Sequence, residues 1–550
     1  MSASKTGTSG TAPFGSRLGV FFQNLGAILS ASFLFAASFP NILVEGGIPL
    51  LAWIAWVPMF WVIHRVGLAA SVFWGALYGY AAYALFNYWL SVFHPLAPLI
   101  IGIIYLVYFA VLFPLLKLAL ILFPRRGYLV QWLIWIAYEY LRTQGFLGYP
   151  YGISGYSQWS VLPLIQSASI FGVWGISALV MFPSAYLAAA LKDWPAAGGR
   201  TGLVRFFLRE RLPACLWLGA LMGTFIYGLI SPVDYSAAPT ARIALIQHNT
   251  DPWRGGIAEY RDNYRVLKRL SLEALAQEPK PDLVVWSETA FVPRIDWHTK
   301  YRDDAAYWAL VKELLDFLKS QDVPFVIGND DARRDPAKNP QWDYRVDYNA
   351  VLLFDRGEQA GIYRKLHLVP FTESFPYRKQ LPWVYDMLEK SDTHLWEMGE
   401  EATVFDIKGL KFSSPICFED TFGYLSRDFV RNGADLIVNL SNDAWSKSVP
   451  AQMQHLSMAV FRAVENRRSM VRSTASGQTC GIDPNGRILA MAEPFTETWL
   501  TVEVPIMQTK TLYTRFGDIG AQIVVALAVF MLLAGTVRSI LLKASGGKKS

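Results

Sequence analysis

Long apolar runs with almost no charge fill the first 230 positions of the chain and return once near its C-terminus, while the stretch between them mixes apolar and polar positions at short period. A helix needs roughly 20 apolar residues to cross a bilayer. The runs at 18–38, 48–63, 70–93, 99–123, 128–147, 164–191, 212–230 and 519–542 meet or approach that length. The pattern therefore predicts seven membrane helices within an N-terminal part at 17–231 and a further one at 518–542, about eight in all. The first run, with Arg17 before it and small residues at 36–38, also suits a cleavable signal peptide. The intervening block predicts short strands at 242–248, 282–286, 324–328, 349–354, 411–416 and 435–440, rich in Val, Ile and Phe. Two helices stand among them. One at 305–319 puts Leu310, Val311, Leu314, Leu315 and Leu318 on one face; the other, at 451–467, turns Met453, Leu456, Val460 and Val464 inward. Strand and helix in alternation predict a layered α/β domain at 240–508.

Composition sharpens this picture. Hydrophobic residues make up 53% of the 550 positions, more than a soluble chain of this size carries. The net charge of +6 does not indicate nucleic acid, because the cations sit in alternate connections between the apolar runs. Lys5 and Arg17 precede the first run; Arg65, the pair Arg125 and Arg126, and the group Lys192, Arg200, Arg205, Arg209 and Arg211 follow the second, fourth and sixth; Lys543, Lys548 and Lys549 follow the last. The other connections, at 40–47, 94–98 and 143–160, are almost free of cations. Both termini are therefore expected to be cytoplasmic, as a disordered tail at 1–16 and a short tail at 543–550, with the block at 240–508 on the opposite side. Glu139 and Arg142 fall in or beside the fifth apolar run, one turn apart, and read either as an ion pair or as a lipid headgroup contact.

Cysteine is scarce: Cys215 lies in an apolar run, while Cys417 and Cys480 lie in the mixed block without C-x-x-C spacing. No metal site is expected, and a disulfide between Cys417 and Cys480 is the one bridge the sequence leaves open. Three polar segments each follow an apolar strand, at 283–288 (LVVWSE), 363–373 (YRKLHLVPFTE) and 415–420 (PICFED). They supply a carboxylate, an ammonium and a thiol. A thiol needs a base before it attacks a carbonyl, and a nearby cation favours the thiolate. Glu288 fits the base. Lys365, with the backbone N–H of Phe418, fits the stabilisation of an oxyanion. Taken singly, Cys417 reads as a small core residue, Lys365 as a surface cation and Glu288 as a cap; His367 offers a Cys-His alternative without a third group to orient it.

Glu after a hydrophobic strand, Lys in Y-x-K-x-x-L-V-P-F-x-E and Cys in I-C-F-E, in that order, resemble the Glu-Lys-Cys triad of the nitrilase superfamily. Helices on both sides of that domain make nearly the whole chain similar to the membrane-bound apolipoprotein N-acyltransferases, and 155–158, 441–445, Gln454-His455 and 472–474 add to the match. The resemblance implies an αββα sandwich on a membrane helical bundle, with Glu288 as general base, Lys365 as oxyanion stabiliser and Cys417 as nucleophile. It further implies Glu373 as a second glutamate near the triad, Phe418 and Glu419 as motif residues beside the nucleophile, and Trp253 and Trp445 as substrate or lid residues. Implied with them are a phospholipid acyl donor, a diacylglyceryl-modified lipoprotein acceptor, no cofactor, and a monomer in the bacterial inner membrane with its catalytic domain in the periplasm. A membrane-tethered amidase or hydrolase and a non-catalytic lipid-binding scaffold are the alternatives.

Overall fold

The computed structural model describes residues 14–92, 95–192, 199–250, 254–338, 344–390 and 395–546; Trp253 and most of the predicted tail at 1–16 lie outside them. The N-terminal part consists of α1 (Phe14–Ser38), α2 (Val57–Arg65), α3 (Leu68–Phe86), α4 (Ala97–Leu122), α5 (Gly127–Leu141), α6 (Leu162–Ile165), α7 (Ala168–Leu191), α8 (Arg200–Arg209) and α9 (Arg211–Ile230). Among the described residues, six helices are long and apolar enough to cross a membrane: five of these, and the C-terminal helix. Two predicted spans fall short. The run at 48–63 breaks into a 3-10 turn at Pro49–Trp53 and the nine-residue α2, each with proline in its first turn, where proline starts a helix but cannot continue one. The run at 128–147 stops as the 15-residue α5, and the chain then turns at Gly145, whose φ is 72°. Close approach joins α3 to α4: a Cβ on Gly75 or Gly79 would lie 2.3 Å from a backbone oxygen of α4, so only glycine lets these helices touch.

The mixed block folds into two six-stranded sheets. The first has the order β12-β1-β2-β3-β4-β5, built from β1 (Thr240–Gln247), β2 (Leu283–Trp286), β3 (Phe325–Arg334), β4 (Arg345–Asp355), β5 (Glu358–Arg364) and β12 (Thr498–Pro505). The second has the order β11-β10-β9-β8-β7-β6, from β6 (Phe405–Ile407), β7 (Leu410–Ser413), β8 (Leu436–Ser441), β9 (Ser469–Thr474), β10 (Cys480–Ile482) and β11 (Ile488–Met491). β1, β2 and β3 run parallel, as do β7, β8 and β9, and antiparallel strands flank both sets.

Period-two alternation assigns the faces. Ile243, Leu245, Val285, Val326 and Val351 belong to the core shared with the second sheet, while Ala244, Ile246, Val284, Trp286 and Ile327 face the helices α10 (Ile257–Leu275) and α12 (Ala305–Lys319). A short α11 (Ile295–Tyr301) and α13 (Pro382–Lys390) complete that half. On the far side lie α14 (Gly423–Arg431), α15 (Val449–Asn466) and α16 (Leu512–Phe516), before the membrane helix α17 (Ile519–Gly546). The layers are thus helix, sheet, sheet, helix, the αββα sandwich.

The last layer is shared with the membrane part. α15 packs on β9 and also on α7, so every residue from Ala451 to Asn466 is buried, although the sequence pattern gives this helix a polar face. That face is satisfied by the bundle and its loops. Gln454 accepts from Trp89 Nε1 at 3.0 Å, Arg462 donates to Tyr156 Oη at 3.0 Å, and Arg467 donates to Gln166 Oε1 at 2.6 Å. Buried polar groups paired across a contact fix its geometry, since shifting either partner would leave a donor or acceptor unmet. The sandwich is therefore held in one orientation on the helices.

Candidate active site

Three strand ends converge at one edge of the sandwich. Glu288 follows β2, its backbone pressed against Gly328 of β3: a Cβ there would lie 2.2 Å from Ser287 O and 2.8 Å from Glu288 Cα. Glu288 is buried, and its carboxylate accepts from Asn349 Nδ2 at 2.8 Å and from the backbone N–H of Asn442 at 2.9 Å. Lys365 follows β5, with no exposed side-chain surface, and its ammonium lies 2.8 Å from Glu373 Oε1 and 3.4 Å from Glu288 Oε1. Burial alone would lower the pKa of Lys365, but Glu373, Glu288 and the Cys417 sulfur together outweigh it and hold the pKa above the usual lysine range. Glu373 also accepts from the N–H of Val369 at 2.8 Å, closing its loop onto the lysine; burial raises its pKa and Lys365 opposes the rise.

Cys417 opens the 3-10 turn Cys417–Thr421 at the end of the extended segment after β7. Its φ of 49° lies in the left-handed region, rare for a residue with a side chain and a sign that the surroundings impose the conformation. Glu419 imposes it. Its buried carboxylate accepts from the N–H of Ile416 at 2.7 Å on one side of the cysteine, and from the N–H of Leu366 at 2.7 Å and of His367 at 2.9 Å just beyond the lysine. Tyr363 Oη adds a bond of 2.8 Å. One carboxylate thus ties the cysteine loop to the lysine loop, and burial lifts its pKa to about 7 against those donors.

All three cysteines are free, so the Cys417 to Cys480 bridge that the sequence left open is absent. Burial pushes the Cys417 thiol well up, Glu288 adds to the rise and Lys365 opposes it. Burial thus favours the protonated form of this thiol, which agrees with the expectation that a nucleophilic Cys417 would need a neighbouring base. His367 is no base for it: burial and then Lys365 lower its pKa to about 4, its Nδ1 pairs with Tyr424 Oη at 2.9 Å and its ring packs on Phe422 at 3.9 Å.

Around Asp420 of the cysteine turn lies a buried group drawn from segments that the sequence reading had singled out without joining them. His455 Nε2 is 2.7 Å from Asp420 Oδ1 and its Nδ1 is 3.1 Å from Asp443 Oδ1; Arg472 bonds Asp420 and approaches Asp443 at 3.5 Å. This group anchors the turn Asp443–Ser446, which carries Trp445 and follows Asn442, the residue whose N–H holds Glu288. Trp445 meets Trp89 of the membrane part at 5.6 Å between ring centroids. Tyr149 and Tyr151, on the loop after α5, stack on Phe418 at 6.5 Å each. Asp420, Asp443, His455 and Arg472 all lie in segments that the resemblance had marked, but none had been given a role there; Asn349 carried no motif signal. For Asn349 a weaker one exists: the inward face of β4 runs Leu353, Val351, then Asn349 and Asp347, and the switch from apolar to polar marks where the core ends.

Of the two readings left open for Glu139 and Arg142, the ion pair is not formed, since each has other partners. Glu139 accepts from Trp135 Nε1 at 3.0 Å and from the Ser154 N–H at 2.9 Å, while Arg142 donates to Tyr105 Oη and to the carbonyls of Tyr149 and Tyr151, each at 2.9 Å. Arg142 thereby holds the tyrosine loop against Phe418. An apolar cleft of about 410 Å³ between α4, α5 and α17 ends at this arginine.

Residues 242–513 match the family model for carbon-nitrogen hydrolases, and residues 31–186 match that for the N-terminal domain of apolipoprotein N-acyltransferase. Apolipoprotein N-acyltransferase 1 of Treponema denticola is 46% identical over 91% of this chain and 94% of that protein, and its counterpart in Treponema pallidum is 47% identical over 97% and 98%. An apolipoprotein N-acyltransferase of Geobacter metallireducens is 33% identical over 91% and 94%. These similarities run through both the helical bundle and the sandwich, and the chain belongs to the apolipoprotein N-acyltransferase family.

Proposed function

We propose that this protein transfers an acyl chain from a phospholipid, through a thioester on Cys417, to the α-amino group of the N-terminal diacylglyceryl-cysteine of lipoproteins, the last step of their maturation. The observation that carries this reading is the convergence of Glu288 and Glu373 on the Lys365 ammonium, both within 3.4 Å of it, with Glu419 tying the Cys417 turn to the lysine loop. In the first half-reaction Glu288 takes the thiol proton as Sγ bonds to the ester carbonyl carbon. The oxygen that becomes negative is met by Lys365 and the N–H of Phe418. The ester C–O bond then breaks, the proton passes from Glu288 to the leaving oxygen, and a lysophospholipid departs. In the second half-reaction the lipoprotein amine attacks the thioester, Glu288 takes a proton from the attacking nitrogen, the C–S bond breaks and the sulfur regains its proton. An amide remains. Glu373 fixes Lys365, and Glu419 fixes the loops that present both partners.

The placement of the site follows from the substrates. Each buried CH₂ is worth about 0.8 kcal/mol, so a phospholipid chain does not leave the bilayer for a soluble enzyme. Anchoring of the sandwich through α15 on α7 supports a site that works at the membrane surface. The distribution of cations supports a bacterial inner membrane protein with both termini in the cytoplasm and the sandwich in the periplasm.

A labelled phospholipid, offered with and without a diacylglyceryl-cysteine peptide, tests the reaction. Transfer predominantly to the peptide amine, lost in Cys417→Ala, is expected. Release of free acid at full rate without the peptide would instead make the protein a hydrolase, and undiminished transfer by Cys417→Ala would leave it a scaffold for another catalyst.

A further inference from the structure

At the end of the bundle away from Cys417, a pocket of about 350 Å³ opens among α2, α4, α5, α7 and α8. Its walls carry Arg65, Lys117, Arg125, Lys192, Arg209 and His64, and none of its described lining residues is a carboxylate. Glu210, next to Arg209 in the chain, is already held by Arg126 at 3.1 Å and Arg209 at 3.0 Å. His64 Nε2 is buried without a hydrogen-bond partner among the described residues. The orientation rule accounts for cations in exposed connections at this end. It does not account for Lys117, which lies inside α4 about 7 Å before the helix ends, counted at 1.5 Å per residue. There a charge is costly unless it meets a partner. Its ammonium reaches the carbonyls of Ile63 at 3.1 Å and His64 at 3.2 Å, at the C-terminal end of α2, and faces the same space as the arginines. Like charges gathered around one cavity repel each other, and an anion between them reverses that sign.

We propose that this pocket binds the phosphate of an anionic membrane lipid. Phosphate chemistry alone would also suit a free phosphate ion. The lipid is favoured by the wall beside the cations, where Ile121, 51% exposed, and Leu120 continue the apolar surface of α4 that acyl chains cover. Nothing in this inference depends on the thioester mechanism, so Cys417→Ala is expected to leave it intact.

Native mass spectrometry of the full chain released from micelles tests it, with phosphatidylglycerol and phosphatidylcholine of identical acyl chains as probes. Arg125→Ala combined with Lys192→Ala removes two side chains that reach the pocket from helix ends. Wild-type protein is expected to retain phosphatidylglycerol over phosphatidylcholine, and the double variant to lose roughly thirtyfold of that preference, the scale of two cations near an anionic headgroup. Equal retention of both lipids by the wild type, or an unchanged preference in the variant, would overturn the proposal. So would displacement of the lipid by millimolar inorganic phosphate, which would make the pocket a site for a soluble anion.

Discussion

At the scale of single residues, the proposed mechanism separates the group that takes the proton, Glu288, from the group that meets the charge, Lys365. Glu288→Gln keeps the shape of the side chain and an oxygen for Asn349, but cannot accept the thiol proton. Its acylation rate is expected to fall by about 10²–10⁴, the usual contribution of a general base, while the Asn442 N–H, now facing an amide NH₂, costs about 1–3 kcal/mol of stability. Lys365→Met differs. It leaves Glu288 and Glu373 buried together without their cation, and removing one partner of a buried pair costs about 3–5 kcal/mol, so both activity and the unfolding midpoint should drop. Glu419 links pH to geometry. Its pKa is raised from 4.5 to about 7, so its contribution to stability is fully present below 4.5 and is lost as pH rises through 7. Its four hydrogen-bond donors nevertheless need the carboxylate, so the acylation rate should rise with pH through about 7 while that contribution declines. Glu419→Gln is expected to be slow at every pH, without that rising limb. A wild-type rate flat between pH 6 and 8 would remove Glu419 from this role.

At the scale of elements, the chain declares some segments openly and hides others for physical reasons. The helix predicted at 305–319 matches α12 residue for residue, because Asp304 caps it and its apolar positions keep one face. The Glu and Cys segments were legible because each ends a run of apolar residues with a charged or reactive group, whereas the Lys segment follows the largely polar β5 and was legible from its own motif. β9 was not: Arg472, Ser473 and Thr474 are buried polar residues in a buried strand, and their partners come from distant parts of the chain. β10 and β11, at three and four residues, are too short for alternation to show. The lengths of the segments at 48–63 and 128–147 were not legible, because hydropathy counts apolar residues and is blind to the prolines and the Gly145 turn that interrupt or end their helices. Gly328 shows how an element places the proposed base through backbone contact alone. Gly328→Ala would push the Glu288 turn off β3, at an expected cost of about 1–3 kcal/mol in stability and a larger proportional loss of activity.

At the scale of the molecule, the helical bundle and the sandwich form one unit through α15. Arg462 shows the stake: wholly buried, it bonds Glu465 at 2.8 Å, the Thr421 carbonyl at 2.8 Å and Tyr156 of the bundle. Arg462→Ala strands Glu465 in the interior, and the expected loss of about 3–5 kcal/mol should appear as a lower unfolding midpoint in detergent. A midpoint within a degree of wild type would show that this contact does not hold the two parts together. The same joint brings Trp89, Tyr149 and Tyr151 of the membrane part beside Trp445 and Phe418, so the walls of the site come from both halves of the chain. The account rests most heavily on Cys417 carrying the acyl group between donor and acceptor. Mass spectrometry of the purified protein after exposure to phospholipid alone, without acceptor, reads this directly. A mass increase of one acyl chain on the peptide containing Cys417, discharged when a diacylglyceryl-cysteine peptide is added, is the expected result; transfer to that peptide with no adduct on Cys417 at any time would contradict it.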